Sequence, residues 1–525
     1  FQLSIPSSAH NIETLNMKAD GDHNLTHVED GEVGKNQTNL GLVDNEVAQY
    51  VGENRVHIDD AENKRLKRMI DKRILVVMIV TYFTQSLDRG TMSFASIMGI
   101  IDDAKLGHNQ YSWFTTIMYL VVLVAEYPEN WILQRVPIAK WLSINIILWG
   151  AVLALHAVGS NFGGLLALRG LLGLFETVCQ PAFVLLSSTW YKKEEQASTI
   201  IYWYMMNGLQ QILGGLAAFA FSFVPHDSPI KSWQALFMTY GVATVFWGFF
   251  VLFWMPDSPM KAKCWSEADK KLMIERVREN RTGVQNRVFR KEQIYHAIAD
   301  PQVYAFALIQ VCTTLPSGGI GAYANILVKS FGFSTWETQL LQMPIGIVML
   351  TVMLTSAWAE RKFKQTILVM MLGLLPTIAG VVVLISVPFH IDKRVGLLIA
   401  YYIIYSFWTC SGLALSLVSR NVAGQTKKSA VIASNFVFWA VGNAIGPQCF
   451  RDQDAPRYFL ALAIILGCFV FLEIVLFVLR TYYIWINKQR DANIARGEVV
   501  DDVNFAHAFE DIADNVRPVH LAPNG

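Results

Sequence analysis

The chain has 525 residues, of which 53% are hydrophobic and only 16% are charged, and its mean hydropathy of +0.33 lies well above that of a soluble globular protein. This composition indicates a protein that crosses the membrane many times. The formal net charge of +1 excludes nucleic-acid binding driven by overall charge, and the six cysteines form neither a CxxC pair nor a cluster with histidine, so we expect no metal and no cofactor.

Two polar tails flank an apolar middle. Residues 1–62 show no sustained hydrophobic period, which predicts a disordered tail, and residues 481–525 form a second tail. Between them lie twelve apolar segments long enough to cross a hydrocarbon core of roughly 30 Å, which takes about 20 helical residues. The predicted crossings are 74–97, 110–132, 141–158, 162–187, 198–222, 233–255, 302–327, 338–358, 366–388, 395–418, 429–448 and 457–480. We therefore predict an all-α membrane protein with 12 transmembrane helices.

Basic residues collect on one side of these crossings. The run NKRLKRMIDKR precedes the first crossing, and Lys and Arg recur in the turns at 135–140, 192–193, 361–364 and 420–428. Because cytosolic loops carry an excess of Lys and Arg, this pattern places both tails in the cytosol. We expect a monomeric, multi-pass protein of the plasma membrane.

The longest connection within the apolar region, residues 256–301, lies at the middle of the helix count and is its most charged part. It predicts a cytosolic loop between two six-helix halves, 63–255 and 302–480. Each half also has a short basic turn between its second and third helices, ILQRVPIAKW in one and SAWAERKFKQT in the other. Two related halves of this kind are typical of transporters whose central site lies between them near the midplane.

The stretch TQSLDRGTMS places Asp88 and Arg89 side by side within the first apolar helix. A charge in the middle of a membrane helix costs about 2.5–3.5 kcal/mol by insertion measurements, so it tends to be paired, hydrated or functional. The fourth helix carries Arg169 and Glu176, seven residues apart and therefore on one face. Depths counted from the helix ends predict that these four groups meet near the midplane. The alternative is that they are structural ion pairs that hold helices together.

Two arginines and two carboxylates in one place suit the transport of an anion with a proton. Arginine offers a planar fork for a carboxylate and stays charged when it is desolvated. When an anion occupies the arginine, a neighbouring buried carboxylate loses part of its partner and takes up a proton more easily. The predicted group is therefore a physical basis for symport of an anion and a proton.

Other polar residues within the apolar helices are candidates for secondary substrate contacts. The fifth helix carries Asn207 and Gln211, and the eleventh carries Asn435 and Asn443. Amide side chains in membrane helices also hydrogen-bond to neighbouring helices, and the sequence leaves both roles open.

Candidates for gating lie near helix ends and at helix-breaking residues. Glu126 and Arg135 lie toward the predicted cytosolic end of the second helix, where they can hold an inner gate. In the seventh helix, Pro316 with Gly318 and Gly319 is expected to break the helix and provide flexibility. Close packing against another helix is the alternative for these glycines.

Several segments together carry a resemblance to a known family. They include LDRGTMS (87–93), LRGLLGLFETVCQP (168–181), FGFSTWETQLLQMP (331–344) and RNVAGQTKKSA (420–430). With them the chain resembles, over about residues 70–480, fungal members of the anion:cation symporter family of the major facilitator superfamily, the group that includes allantoate permease. The resemblance implies the major facilitator fold. It also implies substrate contacts at Arg89 and Arg169 and proton coupling at Asp88 and Glu176.

Two positions depart from the family pattern. Val122 stands where a tyrosine, six residues before the proline of the second helix, is common, and Pro137 stands where the following loop usually has a glycine. The first departure concerns substrate contacts and points to a larger or less polar ligand. The second concerns the cytosolic gate.

The predicted function is proton-coupled uptake of a small organic anion by alternating access, with the anion and the proton as its partners in the bilayer. The resemblance implies a carboxylate metabolite such as allantoate, ureidosuccinate or a vitamin carboxylate. The alternatives are an exporter of organic anions or drugs and a nutrient sensor that does not transport. Neither an HExxH nor a GxSxG motif occurs, and we do not expect an enzyme.

Overall fold

The computed structural model describes residues 58–107, 109–133, 135–225, 228–260, 262, 264–278, 291–422 and 425–496, and the secondary structure in these ranges is helical. Most of the predicted N-terminal tail, residues 1–57, and residues 497–525 of the predicted C-terminal tail lie outside the described ranges. Each of the twelve predicted crossings falls on a helix. The predicted all-α architecture is therefore confirmed.

Six long helices form the N-terminal half. They are α1 (Val76–Ile97), α2 (Gln110–Leu133), α3 (Ile138–Leu155), α4 (Phe162–Glu176, continued by Cys179–Trp190), α5 (Lys193–Tyr204, continued by Met206–Phe221) and α6 (Ser232–Trp254). Two of these helices are interrupted, α4 directly after Glu176 and α5 at Met205. Interruptions leave backbone groups without their helical partners, so they are suited to places where polar side chains gather.

Six further helices form the C-terminal half. They are α7 (Pro301–Ser330), α8 (Thr335–Leu340, continued by Met343–Phe363), α9 (Thr366–Ser386), α10 (Arg394–Ile404, continued by Trp408–Asn421), α11 (Gln425–Ile445) and α12 (Phe459–Ala495). The last helix runs past residue 480, where the apolar pattern of the sequence ends. In α7 the helix continues through Pro316, so the break expected there does not occur in this conformation.

An amphipathic helix, Asp60–Ile70, precedes α1 and joins it through the π-helical turn Asp71–Leu75. Asp59 caps its start by accepting the backbone N–H of Asp60, and the acidic first turn and basic last turn complement the helix dipole. Its apolar face buries Leu66 and Ile70. The helix therefore rests on the predicted cytosolic face, the face at which α1 begins; the opposite face is called the outer face below.

Nine of the described helical segments are long and apolar enough to cross a bilayer by length and composition alone. The predicted crossings outside this set are α1, α2 and α5. Charged residues lie within the first two helices, among them Asp88 and Arg89 in α1 and Glu126 in α2. The helix α5 is divided at Met205. The helices that are least suited to lipid are thus among those that carry candidate functional residues.

Glycines allow close approach of the helices both within and between the halves. A Cβ added to Gly150 of α3 would lie 2.9 Å from the carbonyl oxygen of Gly241 on α6. Between the halves, a Cβ on Gly208 of α5 would lie 3.0 Å from the carbonyl oxygen of Gly346 on α8. Because helix association in lipid depends on close packing rather than on the hydrophobic effect, these contacts hold the helices in register.

The central connection is anchored to both halves. On the N-terminal side, the helix Glu267–Arg278 carries the buried Arg276, whose Nε donates to Oδ1 of Asn63 at 2.7 Å. On the C-terminal side, Asp300 follows the helix Lys291–Ala299 and pairs with Lys427 at 2.7 Å. Each end of the predicted cytosolic loop is therefore tied to a different half.

Candidate substrate and proton site

The predicted charged residues of α1 and α4 come together in the N-terminal half. Nε of Arg89 donates a hydrogen bond to Oε1 of Glu176 at 2.9 Å, and the Glu176 side chain is fully buried. One turn before Arg89, the amide of Gln85 donates to the backbone carbonyl of Glu176 at 3.2 Å. The interruption of α4 after Glu176 thus lies where α1 supplies hydrogen-bond donors.

Asp88 and Arg169 form the buried side of this group. Asp88 is 0% exposed and Arg169 is 2% exposed. Neither carboxylate oxygen of Asp88 has a hydrogen-bond partner within the described ranges, and the same holds for Nε and Nη2 of Arg169. The indole of Trp149 on α3 faces Asp88 without completing a hydrogen bond. Buried polar groups are normally satisfied, so these atoms mark a place where a proton, water or ligand completes the bonding.

Arg89 is the charged member of the group that reaches the space between the halves. Its side chain is 23% exposed, whereas that of Glu176 is completely buried. With Nε engaged by Glu176, neither Nη1 nor Nη2 has a hydrogen-bond partner among the residues that the structure describes. Two donors held in one plane match both oxygens of a carboxylate. Arg89 is therefore oriented for a bidentate contact with an anion.

Aromatic side chains from both halves surround Arg89. Its guanidinium carbon lies 5.9 Å from the ring centre of Trp439 on α11. Trp439 packs edge-on against Tyr119 of α2, with ring centroids 5.3 Å apart. Nearer the predicted cytosolic face, Tyr204 of α5 packs against Trp408 of α10 at 6.0 Å. The space that Arg89 faces thus has aromatic walls contributed by both halves.

Two of the predicted amide contacts hydrogen-bond within the protein. Asn207 joins α5 to α1, because its oxygen accepts from Ser86 at 3.2 Å and its nitrogen donates to the hydroxyl of Tyr82 at 3.2 Å. Asn443 is buried and donates to the carbonyl of Trp439 at 2.8 Å. In this conformation Asn207 has the interhelical role that the sequence allows, whereas Asn443 hydrogen-bonds within its own helix.

The other two predicted amides, Gln211 and Asn435, lie on α5 and α11. Gln211 lies one turn after Asn207 on α5 and is partly exposed. Asn435 lies one turn before Trp439 on α11, and its Oδ1 is buried without a hydrogen-bond partner among the described residues. Asn435 therefore retains an acceptor that a bound molecule can use.

The gating candidates of α2 make contacts with their own helix and its end. Oε1 of Glu126 accepts a hydrogen bond from Nδ2 of Asn130 at 3.3 Å. The guanidinium carbon of Arg135 lies 3.7 Å from the ring centre of Trp131. A role for Glu126 and Arg135 in an inner gate stays a prediction.

The gating candidates of α7 lie against α11. A Cβ added to Gly318 would lie 2.8 Å from Cα of Asn443, and one added to Gly319 would lie 2.8 Å from the carbonyl oxygen of Gly446. Together with the continuous helix at Pro316, this geometry gives the glycines a packing role in this conformation. Their part in gating stays a prediction.

Hydrogen bonds near the outer face join the two halves, and the sequence analysis missed them. Tyr111 of α2 donates to the carbonyl of Ala322 on α7 at 2.9 Å, and the hydroxyls of Ser112 and Tyr323 are 2.7 Å apart. Tyr111 and Tyr323 also line a cleft of about 270 Å³. Tyrosine and serine within apolar helices carry no distinctive sequence signal, so only their tertiary partners identify this outer seam.

The support of Arg169 was also missed. Its guanidinium carbon lies 5.7 Å from the ring centre of Phe237 on α6. His156, just after α3, stacks on the same ring at 5.1 Å, and its Nδ1 lies 2.9 Å from the carbonyl of Val152. An isolated histidine at a helix end gives little signal in sequence, because its role depends on neighbours from other helices.

Comparison with known proteins identifies the family that fits this arrangement. The family model of the Major Facilitator Superfamily matches residues 78–447. The chain belongs to the major facilitator superfamily. Its relatives are membrane transporters, so the expectation that the protein is not an enzyme is confirmed.

Three relatives define the position of the chain within this superfamily. An uncharacterized transporter of Schizosaccharomyces pombe is 31% identical over 492 residues, covering 93% of this chain and 92% of the relative. The allantoate permease of Saccharomyces cerevisiae is 31% identical over 473 residues, covering 88% of this chain and 87% of the permease. The thiamine pathway transporter THI73 of the same yeast is 32% identical over 400 residues, 75% of each chain. The resemblance read from the sequence segments is therefore confirmed.

Solved structures of the superfamily show the same fold at low sequence identity. A D-xylose-proton symporter has a TM-score of 0.59 and 12% identity, covering 76% of this chain and 96% of its own. A bacterial homolog of the human lysosomal transporter Spinster, inward-facing and unoccupied, has a TM-score of 0.59 and 14% identity. The match covers 77% of this chain and 94% of the homolog. The predicted major facilitator fold is confirmed by these matches, which speak to the fold alone.

Proposed function

We propose that this protein carries a small organic anion, a carboxylate metabolite, into the cell together with protons by alternating access. The observation that carries the proposal is the state of Arg89, which is partly exposed between the halves. Its Nε is held by Glu176 while both terminal nitrogens lack a hydrogen-bond partner in the described part of the chain. A fixed cation with two unused donors in a space of low dielectric favours a carboxylate over a neutral molecule.

The proposed proton coupling follows from the charge of the group. Arg89 and Arg169 contribute two positive charges and Asp88 and Glu176 two negative charges, so the empty site is formally neutral. A bound monoanion leaves a net negative charge among buried groups, which is unfavourable in a medium of low dielectric. One proton on a carboxylate restores neutrality. We therefore propose at least one proton for each carboxylate that the substrate carries.

Glu176 connects anion binding to proton binding in this scheme. The substrate carboxylate and Glu176 share one guanidinium, so a proton on Glu176 weakens the ion pair and leaves Arg89 free for the substrate. Asp88 is the second proton carrier, because a proton there removes an ionised buried group that lacks hydrogen-bond donors. Arg169 supplies the positive potential behind both carboxylates.

Relatives and loop charges complete the proposal. One relative's name points to allantoate, itself a carboxylate, and another's to a thiamine pathway. The exposed cation at the site favours the carboxylate, so we propose allantoate, ureidosuccinate and vitamin carboxylates as the first substrates to try. The basic runs beside the crossings support cytosolic tails. We also propose that the protein is a monomer in the plasma membrane.

The test is transport by the purified full chain in proteoliposomes. A labelled carboxylate panel that starts with allantoate is offered outside while the outside is made acidic. We expect accumulation that a protonophore abolishes and that Arg89→Ala prevents. Arg394→Ala, which removes a partly exposed arginine stacked on Phe333, should leave accumulation intact. Export against the same gradient would instead assign an exporter, and binding without flux would assign a sensor.

A further inference from the structure

We infer that two glutamates of α2, Glu126 and Glu129, carry the coupled proton from Glu176 to the predicted cytosolic face. They are called the exit carboxylates below. The inference rests on the proposed function, because it assumes that Glu176 takes up a proton together with the anion. It adds the route by which that proton leaves, and side chains of the N-terminal half alone build this route.

The route starts at an oxygen of Glu176 that does not contact Arg89. Oε1 of Glu176 accepts the hydrogen bond from Arg89, whereas Oε2 is buried without a partner among the described residues. Oε2 is therefore the atom that can hold a proton while Oε1 stays on the guanidinium. In this conformation the outer seam closes the outer face through the bonds of Tyr111 and Ser112 to α7. A proton on Oε2 thus has to leave toward the predicted cytosolic face.

The register of α2 against α4 sets the levels of the exit carboxylates. Both helices run from the outer face toward the predicted cytosolic face, and a Cβ added to Gly173 of α4 would lie 2.7 Å from the carbonyl oxygen of Met118 on α2. Because these two residues share a level, Glu176 is level with the position three residues after Met118. At about 1.5 Å per residue, Glu126 lies about 7.5 Å and Glu129 about 12 Å closer to the predicted cytosolic face than Glu176. The exit carboxylates therefore lie between Glu176 and the cytosolic end of α2.

Neighbouring side chains connect these levels. Cys179 of α4, one turn after Glu176, lies close both to Glu176 and to Glu129. Glu126 and Glu129 are three residues apart, so their side chains are neighbours on one face of α2. The three carboxyl groups thus follow one another along the helix pair, with gaps that water molecules can bridge. The proton that Glu176 loses is gained by Glu126, then by Glu129 and finally by water, and each transfer leaves its donor ionised.

Structural ion pairing does not account for the exit carboxylates. The partner of Glu126 is the amide of Asn130 at 3.3 Å, and that of Glu129 is the indole N–H of Trp141. Both donors are neutral, and no Lys or Arg pairs with either carboxylate within the described ranges. Two neighbouring carboxylates with little solvent are unfavourable when both are ionised, so a proton shared between them stabilises the pair. The pair is therefore suited to accept a proton from Glu176 and to pass it on.

The experiment separates proton release from anion movement in proteoliposomes that contain the purified full chain and enclose a pH-sensitive dye. The probe is allantoate, or the carboxylate of the panel that the wild-type protein accumulates fastest. Net uptake driven by outside acid requires proton release inside, which the dye records. Exchange of labelled for unlabelled probe at equal pH on both sides requires no net release.

We expect Glu126→Gln and Glu129→Gln to exchange the probe within about twofold of the wild-type rate, and to slow probe-driven proton release about tenfold or more. Each amide keeps an oxygen that can accept the hydrogen bond of the neutral donor, so the fold is retained. Glu129→Asp, which keeps a carboxyl group, should restore most of the release. The matched control is Glu473→Gln on α12, which removes a carboxyl group whose Oε2 is also buried without a described partner, and it should change neither rate.

The outcomes separate the exit route from the proposed function. Proton release at the wild-type rate by the double variant Glu126→Gln/Glu129→Gln overturns the route while the proposed function stands. Loss of exchange together with proton release, in a variant that keeps its thermal unfolding midpoint, also overturns it, because the glutamates would then act on the anion or on a gate.

A second variant keeps the test decisive. If Glu129→Gln does not keep the unfolding midpoint, Glu126→Gln decides the question, because the hydrogen bond described for Glu126 lies within α2. If the wild-type protein moves no carboxylate of the panel, or moves one without protons, the proposed function fails and the exit route fails with it.

Discussion

The two halves have the same number of helices but differ in chemistry. In the N-terminal half, α1 and α4 place Asp88, Arg89, Arg169 and Glu176 in one group, of which Arg89 alone is partly exposed. The C-terminal half faces this group with the indole of Trp439. Glu473, a charged residue of the C-terminal half, lies on α12 beside Cys410 of α10 and not beside the charged group of the N-terminal half.

This difference indicates how the halves divide the work. Under the proposed mechanism, in which these charges bind the anion and the protons, a group carried by one half keeps the anion and the protons at fixed mutual distances while access changes from one face to the other. The opposite half then needs to fit the substrate's shape and to close over it, which aromatic and amide side chains accomplish without further buried charge. Charges split between two moving bodies would have to break and re-form ion pairs during each cycle, at the cost of desolvating them again.

The largest expected effect concerns the charge of the N-terminal half. Arg89→Ala removes both donors for a carboxylate, and hydrogen bonds to charged groups contribute about 1.5–3 kcal/mol each, so we expect carboxylate affinity to fall by more than about a hundredfold. Calorimetry on the purified protein measures this. Arg394→Ala in the C-terminal half should bind normally. Near-normal affinity of Arg89→Ala would break the comparison at its main point.

The next effect separates binding from coupling within the N-terminal half. Glu176→Gln keeps an oxygen that can accept the Nε hydrogen bond of Arg89 but can no longer release a proton. We expect substrate binding to change by only a few-fold and exchange of labelled for unlabelled substrate to continue. Accumulation driven by a proton gradient should be lost. If proteoliposomes of this variant still accumulate substrate against its gradient, Glu176 is not a coupling residue.

A smaller effect is expected in the C-terminal half. Asn435→Ala removes a single neutral acceptor near Trp439, and a neutral hydrogen bond contributes about 0.5–1.5 kcal/mol, so we expect Kd to rise by no more than about tenfold. Asn487→Ala, an amide at the far end of α12 whose Oδ1 also lacks a partner within the described ranges, is the matched control. A loss as large as that of Arg89→Ala would mean that both halves bind the anion directly.

The smallest effect concerns stability at the outer ends, where each half is held by a basic residue that precedes its last helix. In the N-terminal half, Asp103 accepts hydrogen bonds from Lys231 and, at 2.7 Å, from Nε1 of Trp233. Burial by itself raises the pKa of Asp103. The hydrogen bonds from Lys231 and Trp233 lower this pKa by more, so it lies below its ordinary value. In the C-terminal half, Arg457 donates to the backbone carbonyl of Ile385 at 2.8 Å.

These two contacts should respond differently to acid. Because the pKa of Asp103 is lower in the folded protein than in the unfolded one, its contribution is present at neutral pH and is lost as the pH falls below about 4. We expect Asp103→Asn to lower the free energy of unfolding by up to about 1 kcal/mol at pH 7 and by less at about pH 3. Arg457→Leu should cost the same at both values, as measured by thermal unfolding. An equal pH response of both variants would contradict this assignment.

The charged group shows how far sequence reasoning extended. The spacing of Arg169 and Glu176, together with the depth of Asp88 and Arg89 in their helix, predicted that the four residues lie at one level, and the structure brings Arg89 and Glu176 into contact. From the sequence alone, Arg89 and Arg169 are equally good candidates for the anion contact. The structure distinguishes the two arginines. Arg89 is partly exposed between the halves, whereas Arg169 is buried and packs against the ring of Phe237.

By itself, the sequence determined the fold class, the positions of the apolar helices and the residues that carry charge within them. These follow from segment length, hydropathy and the rarity of charge in apolar helices, which are local properties. The tertiary structure alone decided that Tyr119 meets Trp439, that Tyr111 and Tyr323 close the outer seam, and that Gly318 packs on α11. Such contacts depend on the rotation and crossing of helices that are distant in the chain, and an apolar sequence leaves those rotations open because lipid accepts any apolar face.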